Sequence, residues 1–558
     1  MVMGKTVADL LVEKLAKWGV RRVYGVPGDA INTIIDAVRR SGDIEFILVR
    51  HEEAGAFAAS AESKLTGQLA ACVGTSGPGA IHLLNGLYEA KTAGTPVIAL
   101  TGQVDSDLIG TDYFQEVDIV RLFSDVSVYN QRIASPADAP AVIETACREA
   151  VTRRGVAHIS FPVDLPRGEV PRKTAEREID YCRAVPVPAP EDLQKAADLL
   201  NSSGKVAILA GGGSRLARDE IIRLSETLAA TITVTLPGKG AVPDSHPNCL
   251  GGIGFLGTRP SQDAMEEADT LIMIGTSYPY RQFLPESASV IQIDINPENI
   301  GKRMPVDVAL FGDAKMALRQ LIPLLNRRSE SKFLDKYRTK MSEWRERLDG
   351  ECADKAVPIR PQIAARALQK VLPEDAIVCV DVGNVTVWMA RYFNAENHRF
   401  VFSPWLGSMA VGLPSAIGAK LAYPEKAVAA FAGDGGFTML MGDFSTAVKY
   451  KLPILVVVIN NGILGMIKFE QEIMGHPEFG IEFHNPNYAE FAKACGGFGI
   501  RVTEPGQLED AMRQAYNSGQ PAIVEVMAER NERPMPPRIA PSTVFHYATA
   551  LFREKFDL

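Results

Sequence analysis

The chain has 558 residues, of which 46% are hydrophobic and 23% charged, and its formal net charge is -8 at pH 7. This composition is typical of a globular protein, the length predicts about three domains, and the acidic balance argues against nucleic acid as a partner. No stretch reaches the roughly 18 apolar residues of a membrane-spanning helix, and the N-terminus lacks the apolar core of a signal peptide, so we expect a cytoplasmic protein.

Apolar runs alternate with helical stretches along the whole chain. The first part contains IEFILV, LAACVG and PVIALTG, the middle part VAILAGGG, ATITVTLPG, DTLIMIGT and SVIQIDIN, and the last part AIVCVDVG, AVAAFAGDGG and PILVVVIN. Continuous apolar runs are typical of parallel strands buried on both faces, and Pro-rich segments at 184–192 and 356–362 mark domain edges. We therefore predict three consecutive α/β domains with open, mainly parallel sheets. Their predicted bounds are 1–185, 190–340 and 358–535, followed by a tail at 536–558.

The polar residues of the last part lie where two of its strands end. Gly433, Asp434, Gly435 and Gly436 form a turn after VAAFA, and Asn461 follows ILVVVI and a first asparagine. The carboxyl ends of parallel strands lie side by side, so the turn's N–H groups can face an anion such as a diphosphate. Asp434, the side-chain oxygen of Asn461 and the backbone carbonyl of Ile463 could then supply hard oxygen ligands to Mg²⁺. An ordinary strand-to-helix turn and an Asn-Gly hairpin are the alternative interpretation.

Gly-Asp-Gly, followed after 24 residues by Asn-Asn, resembles the signature of thiamine-diphosphate enzymes. The similarity extends along the chain to the group of pyruvate oxidase, quinone-linked pyruvate dehydrogenase and acetolactate synthase. It implies that the first domain binds the aminopyrimidine of thiamine diphosphate, that the last binds its diphosphate with Mg²⁺, and that the central domain holds FAD. It also implies active sites between subunits of a homodimer or homotetramer.

The resemblance implies further roles for single residues. Glu52, in VRHEEAGAFAA, matches the glutamate that hydrogen-bonds the aminopyrimidine and so provides a base beside the reacting carbon. Met409 matches the bulky apolar residue that bends the coenzyme, and Gly407 would offer a carbonyl to it. Phe114 and Gln115, in IGTDYFQE, match an aromatic ring and an amide that project toward the substrate. Taken alone, Glu52 would be an acid in the first turn of a helix. Met409 and Phe114 would be core residues, and Gln115 would be a solvated surface residue.

The middle part carries several matches to flavin-binding members of the group. They are GGIGFLG near 251, GTSYPYRQF near 275, IQIDINPENIG near 291 and GDA at 312, although the full GxGxxG pattern is absent. Arg281 would pair with the flavin or its phosphates, and Asp294 with Asn296 would lie at its adenosine end. A surface ion pair for Arg281 and a turn cap for Asp294 are the alternatives. The complete set implied for FAD is Gly212, Gly213, Gly275, Arg281, Asp294, Asn296 and Asp313.

The residues after the metal site bear on the choice of reaction. Glu470 falls where pyruvate oxidases have a glutamate and acetolactate synthases typically a tryptophan, whereas Met466 replaces the oxidase phenylalanine between thiamine and flavin. TGQV at 101 and IGTDYFQE resemble the synthases, but SDVSVYN lacks their usual basic residue.

We predict oxidative decarboxylation of pyruvate, or a similar small 2-ketoacid, to acetate or acetyl phosphate. Electrons would pass through FAD to quinone or oxygen. The alternatives are an acetolactate synthase-type transferase with structural FAD, and a catalytically silent homologue. The intact set of Glu52, Asp434 and Asn461 disfavours a silent protein.

The C-terminal tail has an apolar stripe at helical spacing, formed by Val544, Tyr547, Ala548, Leu551 and Phe552. Quinone-linked relatives reach the membrane with such a segment. Because this tail is shorter and of mixed charge, we favour packing on the protein's own surface over peripheral membrane contact.

Overall fold

The computed structural model describes residues 5–171 and 185–537. The strands of this part form three sheets of six strands each, and all the named strand pairs are parallel. The predicted fold class, three consecutive α/β domains with parallel sheets, is confirmed. The strands of each sheet come from one predicted segment, and the segment boundaries stay predictions.

The first domain has the strand order β2-β1-β3-β4-β6-β5. Its strands are β1 (Arg22–Gly25), β2 (Glu45–Leu48), β3 (Ala70–Gly74), β4 (Val97–Gln103), β5 (Ser127–Arg132) and β6 (Val156–Pro162). Its helices are α1 (Val7–Lys17), α2 (Asn32–Ser41), α3 (Glu52–Thr66), α4 (Pro78–His82), α5 (Leu84–Thr92), α6 (Ile119–Leu122) and α7 (Ala139–Thr152). Every residue of β3, β4 and β6 is buried, which explains their apolar sequences.

The central domain has the strand order β12-β11-β10-β7-β8-β9. Its strands are β7 (Val206–Ala210), β8 (Thr231–Val234), β9 (Cys249–Gly252), β10 (Thr270–Ile274), β11 (Ser289–Asp294) and β12 (Val308–Phe311). Its helices are α8 (Pro190–Ser202), α9 (Arg218–Leu228), α10 (Arg259–Glu267), α11 (Ala314–Leu321) and α12 (Lys332–Cys352). The last of these leads toward the third domain.

The third domain has the strand order β14-β13-β15-β16-β18-β17. Its strands are β13 (Ile377–Val380), β14 (Arg399–Val401), β15 (Val428–Gly433), β16 (Ile454–Asn460), β17 (Phe498–Val502) and β18 (Ala522–Met527). Its helices are α13 (Pro361–Val371), α14 (Asn384–Tyr392), α15 (Gly412–Ala422), α16 (Asp434–Met439), α17 (Phe444–Lys449), α18 (Gly465–Ile473), α19 (Tyr488–Ala494) and α20 (Leu508–Asn517).

The first and third domains share one apolar core, in which α3 packs against α15. Ala58 and Ala61 belong to the same buried cluster as Leu413 and Ile417. The two helices approach so closely that a Cβ at Gly418 would lie 2.3 Å from the backbone oxygen of Ala58. The helix that begins at Glu52 is therefore fixed against the domain that carries Asp434.

None of the helices in the described part of the chain combines the length and the hydropathy needed to span a membrane. The predicted apolar stripe of the tail, Val544 to Phe552, lies outside the described residues.

Candidate active site

The two polar fragments of the third domain meet at the carboxyl edge of its sheet. β15 and β16 pair in parallel with Gly433 opposite Ile459, so the turns that follow the two strands are neighbours. Asp434 is only 2% exposed, and its Oδ2 accepts a hydrogen bond of 2.7 Å from the backbone N–H of Gly462. Burial raises the pKa of the Asp434 carboxyl above its ordinary value. The two fragments are thus bonded directly to each other.

The two adjacent asparagines at the end of β16 have different partners. Asn460 Nδ2 donates to the fully buried carboxylate of Glu525 at 2.8 Å, and Arg501 holds the same carboxylate with two hydrogen bonds. Asn461 Oδ1 accepts only a long bond, 3.3 Å, from the backbone N–H of Ile463. The amide nitrogen of Asn460 is therefore bonded to the core of the domain, while the amide of Asn461 lies at the strand edge beside Ile463.

Asn485 connects these groups, although no sequence pattern singled it out. Its Nδ2 donates to Asp434 Oδ2 at 2.7 Å and to Asn460 Oδ1 at 3.0 Å. It lies in the irregular segment between α18 and α19, where no periodicity indicates a role. Only the folded path of this segment brings Asn485 to the sheet edge.

Close packing explains two of the glycines in the turn after β15. A Cβ at Gly435 would lie 2.9 Å from the ring of Phe483, and one at Gly436 would lie 2.7 Å from Asp381 Oδ1. At Gly433 the nearest atom to a Cβ would be 3.8 Å away. Gly435 and Gly436 are thus required by neighbouring side chains, whereas Gly433 leaves space at the end of the strand.

Asp381, directly after β13, fixes the loop that carries Gly407 and Met409. Its side chain is 1% exposed, its Oδ2 accepts from the backbone N–H of Gly412 at 3.3 Å, and burial raises its pKa to about 6. A Cβ at Gly435 would lie 3.3 Å from Met409 Cε, so the loop touches the turn after β15. The structure brings Met409 next to the Asp434 turn, with Asp381 as a support that sequence reasoning missed.

Glu52 begins α3 in the first domain and is 8% exposed. Its Oε2 lies 2.9 Å from His82 Nδ1, and the ring of His51 stacks on that of His82 with centroids 4.3 Å apart. A Cβ at Gly79 would lie 3.2 Å from Glu52 Oε1, so the glycine leaves room for the carboxylate. No hydrogen bond among the described residues joins this group to Asp434. Within one chain, Glu52 and the Asp434 turn form two separate polar groups.

Phe114 and Gln115 lie in the segment between β4 and α6. Ser76 Oγ donates to Gln115 Oε1 at 3.5 Å, and a Cβ at Gly77 would lie 3.0 Å from the backbone oxygen of Gln115. The turn at Ser76 and Gly77 leads directly into α4, whose last residue, His82, is the partner of Glu52. Phe114 is 75% exposed in the single chain. Gln115 is therefore tied to the element that supports Glu52, and the aromatic ring beside it faces outward.

An open groove of about 2400 Å³ runs between the three domains. It exceeds the roughly 300–1,000 Å³ of an ordinary ligand pocket. Met466 and Glu470, both on α18, line the third-domain side of the groove. Several central-domain residues on its wall lie at or just after the carboxyl ends of strands. They are Gly212, Gly213, Gly275, Asp294, Asn296 and Asp313. This is the edge at which open parallel sheets bind their ligands.

Family models match each of the three domains. They are the N-terminal binding domain of thiamine pyrophosphate enzymes at residues 5–122, the central domain at 193–321 and the C-terminal binding domain at 381–526. The chain belongs to the thiamine pyrophosphate enzyme family. Thiamine pyrophosphate and thiamine diphosphate are two names for the same coenzyme.

Full-length relatives carry different names within this family. The chain is 42% identical to YdaP of Bacillus subtilis, which is named as a thiamine pyrophosphate-containing protein, over 99% of this chain and 96% of the relative. It is 34% identical to pyruvate oxidase of Lactiplantibacillus plantarum, over 94% of this chain and 89% of the relative. It is 31% identical to the large subunit of acetolactate synthase isozyme 3 of Escherichia coli, over 95% of this chain and 96% of the relative.

The residues at the edge of the third sheet fit the diphosphate of that coenzyme and a Mg²⁺ ion. Asp434, Asn461 and the carbonyl of Ile463 offer the hard oxygen atoms that Mg²⁺ prefers. The amide oxygen of Asn384 is buried without a hydrogen-bond partner among the described residues, and a Cβ at Gly465 would lie 2.6 Å from the Nδ2 of Asn384. Asn384 and Gly465 begin helices of nine residues each, and helix N-termini attract anions.

Sequence reasoning missed Asn384, although a signal was present. The run AIVCV is followed by Asp381 and Gly383 in the same way as VAAFA is followed by the turn at Asp434. Both are apolar strands that end in an acid and a glycine before a helix. The same pattern after β13 therefore predicts a second helix start that faces an anion, at Asn384.

Two of the acids predicted to bind FAD have partners of their own. Asp294 Oδ1 accepts from the backbone N–H of Asn296 at 2.8 Å, and burial raises its pKa. Asp313 Oδ1 accepts from the backbone N–H of Met316 at 3.0 Å and caps α11. Both lie on the groove wall as well, so these local bonds orient their side chains there.

Arg281 is exposed and lies outside the groove wall, so the structure gives its predicted pairing with flavin no support. Arg215, which sequence reasoning missed, does line the groove. Its Nε donates to the backbone oxygen of Pro237 at 2.9 Å, and no carboxylate among the described residues forms an ion pair with it. Burial and the nearby Arg399 lower the pKa of Arg215 to about 10. A cation without a counterion on this wall suits an anionic ligand.

Proposed function

We propose that this chain is a thiamine-diphosphate- and Mg²⁺-dependent enzyme that oxidatively decarboxylates pyruvate or a similar small 2-ketoacid. The observation that carries the proposal is the hydrogen bond from Gly462 to Asp434, because it joins the two halves of the signature at one sheet edge. Bound there, thiamine diphosphate supplies the electron sink for the carbon that loses CO₂. The relative named pyruvate oxidase supports pyruvate as substrate.

The third domain would hold the coenzyme's diphosphate and its metal ion. Asp434, the amide oxygen of Asn461 and the carbonyl of Ile463 would be the Mg²⁺ ligands. The start of α14 at Asn384 would bind phosphate oxygens, because its N–H groups and helix dipole favour negative charge. Gly433, Gly435 and Gly436 would let the backbone approach the diphosphate.

The remaining residues would orient the coenzyme and move a proton. Met409, already against Gly435, would support the bend of the coenzyme, and Gly407 would offer its carbonyl to the aminopyrimidine. Glu52 would hydrogen-bond the aminopyrimidine ring, and its 8% exposure keeps water from competing for the carboxylate. Phe114 and Gln115 would contact the substrate.

An oxidative outcome is supported by the groove that joins the central domain to α18. Glu470 and Met466 share its wall with Gly213 and Asp294, so an elongated FAD bound there would reach the third domain. Arg215 would neutralise the charge of its phosphates. The product would be acetate or acetyl phosphate, and quinone or oxygen would be the final electron acceptor.

A second candidate is a transferase that joins two 2-ketoacids and uses FAD only as a structural group. The relative named acetolactate synthase, which matches almost the whole chain, favours this alternative. A catalytically silent homologue is disfavoured by the preserved bond between Asp434 and Gly462.

One experiment separates these outcomes. The protein loaded with thiamine diphosphate, Mg²⁺ and FAD is mixed with pyruvate without oxygen, and the visible flavin absorbance and CO₂ are followed. Loss of the flavin band together with CO₂ release supports the oxidase. An unchanged band with acetolactate accumulating supports the transferase, and absence of CO₂ contradicts both. The matched control is Glu52→Gln, which should bleach far more slowly.

We also infer that the site is completed by a second chain, as homodimer or homotetramer. Glu52 and Asp434 lie in separate polar groups of one chain, and Phe114 faces outward, which supports pairing of the first domain of one subunit with the third of another. The proposed domain limits remain 1–185 for aminopyrimidine binding, 190–340 for FAD and 358–535 for diphosphate and Mg²⁺.

A further inference from the structure

His51, Glu52 and His82 stand apart from the Mg²⁺ ligands as a second group able to bind a metal ion. Among the described residues they form the one set of three such side chains whose ligand atoms all lie within 4.8 Å of one another. One of these separations, between Glu52 Oε2 and His82 Nδ1, is 2.9 Å. We propose that this group is a binding site for zinc or a similar transition-metal ion.

The donor set selects the ion. Two imidazoles and one carboxylate are the ligands that Zn²⁺ accepts at about 2.0–2.2 Å, whereas Mg²⁺ prefers oxygen alone. Ligand atoms around one tetrahedral zinc ion lie roughly 3.3 Å apart at such bond lengths. To close on an ion, the two stacked imidazole rings would have to rotate apart and the hydrogen bond between Glu52 and His82 would have to open. Three protein ligands leave a fourth position to water.

The backbone holds the three ligands in place and leaves them accessible. His51 is the N-cap of α3 and its Nδ1 accepts from the backbone N–H of Glu53 at 3.2 Å, so its ring is already oriented. His82 closes the short helix α4. In the single chain the side chains of His51 and His82 are 38% and 42% exposed, whereas the Glu52 carboxylate beside them is buried.

The ion would replace a proton. Glu52 Oε2 and His82 Nδ1 share a hydrogen bond, and an ion held by both atoms would take the place of the proton between them, which a neutral imidazole can carry on its other nitrogen. The site would also compete with the coenzyme, a consequence that rests on the proposed role of Glu52, because the ligated carboxylate could not hydrogen-bond the aminopyrimidine.

The test is calorimetric titration of zinc chloride into the full-length protein freed of coenzyme and metals. We expect one site per chain that is weakened about tenfold or more in His82→Ala, in His51→Ala and in the near-isosteric His82→Gln, since loss of even an outer-shell partner costs about 10–100-fold in metal affinity. Circular dichroism checks that each variant is folded.

The matched control is His246→Ala. His246 lies 3.9 Å from Glu226 and so forms a histidine–carboxylate pair without a third ligand. It should bind zinc as the wild type does. Unchanged zinc affinity in both His82 variants and in His51→Ala would overturn the proposal, as would an equal loss in His246→Ala.

A final arm separates the metal site from the proposed function. Added thiamine diphosphate and Mg²⁺ should weaken zinc binding by tenfold or more in the wild type. If His82→Ala abolishes zinc binding but the coenzyme does not compete, the zinc site is upheld and the predicted competition at Glu52 is refuted.

Discussion

At the scale of single residues, neighbours in sequence have unrelated tasks. Asn460 and Asn461 are adjacent, yet one bonds the buried Glu525 and the other lies at the strand edge beside the Asp434 turn. In a strand, successive side chains point to opposite faces. Asn460, the last residue of β16, and Asn461, the residue after it, therefore direct their side chains to different surroundings. The difference can be measured by substitution.

We predict opposite effects for Asn461→Ala and Asn460→Ala. The first should lower the affinity for Mg²⁺ and thiamine diphosphate tenfold or more with little change in the free energy of unfolding. The second should lower that free energy by about 1–3 kcal/mol, because Glu525 loses a partner in the core. Denaturant unfolding and calorimetric coenzyme titration measure both. Equal effects of the two substitutions would contradict the division of roles.

Glu52→Gln should slow CO₂ release from pyruvate by about 10²-fold or more, because an amide cannot serve as the proton acceptor. The fold should be unchanged, since the group is confined to the start of α3 and its partner His82. Single-turnover measurement of CO₂ tests the prediction. Turnover near that of the wild type would refute the assigned role.

Asp381 should make stability depend on pH in the coenzyme-free protein. Its folded pKa of about 6 is above the ordinary value of 3.8, so the folded state holds the proton more tightly than the unfolded state. The resulting stabilisation is fully present below the unfolded pKa and is lost as the pH rises through about 6.

Compared with Asp381→Asn, which cannot titrate, the wild type should lose up to about 3 kcal/mol of unfolding free energy between pH 4 and 7. Guanidinium unfolding across this range gives the measurement. Parallel pH curves for the two proteins would show that Asp381 has no raised pKa.

At the scale of elements, the contact of α3 with α15 joins the first domain to the third within one chain. Gly418→Ala would place a methyl group 2.3 Å from the backbone oxygen of Ala58, and backbone cannot move aside as a flexible side chain can. We expect a loss of about 1–3 kcal/mol in unfolding free energy, together with weaker coenzyme binding.

Gly350→Ala is the control for this substitution. Gly350 also lies inside a helix, α12, but a Cβ there would meet no atom within 4 Å. Alanine should be neutral at this position or raise the unfolding free energy by up to about 1 kcal/mol, because it has the higher helix propensity. A similar loss at both positions would mean that helix packing is not the cause.

At the scale of the whole molecule, a site shared between two chains, as proposed, predicts an obligatory assembly. Light scattering should give the mass of two or four chains. On dilution, loss of activity should follow dissociation while circular dichroism still reports folded chains. An active single chain would contradict a site shared between subunits.

Much of the architecture could be predicted from the sequence. The apolar runs before Gly433 and Asn460 indicated buried parallel strands, and the parallel pairing of β15 with β16 confirms that prediction. The family was predicted from a resemblance to its signature at the same residues and along the chain, and it is confirmed by the matching family models. Oxidative decarboxylation was also predicted from the sequence, with a transferase as the alternative, and the choice between the two reactions stays a prediction.

Local pattern by itself determined the strands, the class of fold and the polar turn at Asp434. Such signals are short-range: a buried strand must be apolar and a tight turn needs glycine, wherever the rest of the chain lies. The tertiary structure decided which distant residues reach those turns. Asn485 bonds Asp434, Asp381 holds the Met409 loop, and His82 pairs with Glu52. These are contacts between residues far apart in sequence, so no periodicity records them, and only packing brings them together.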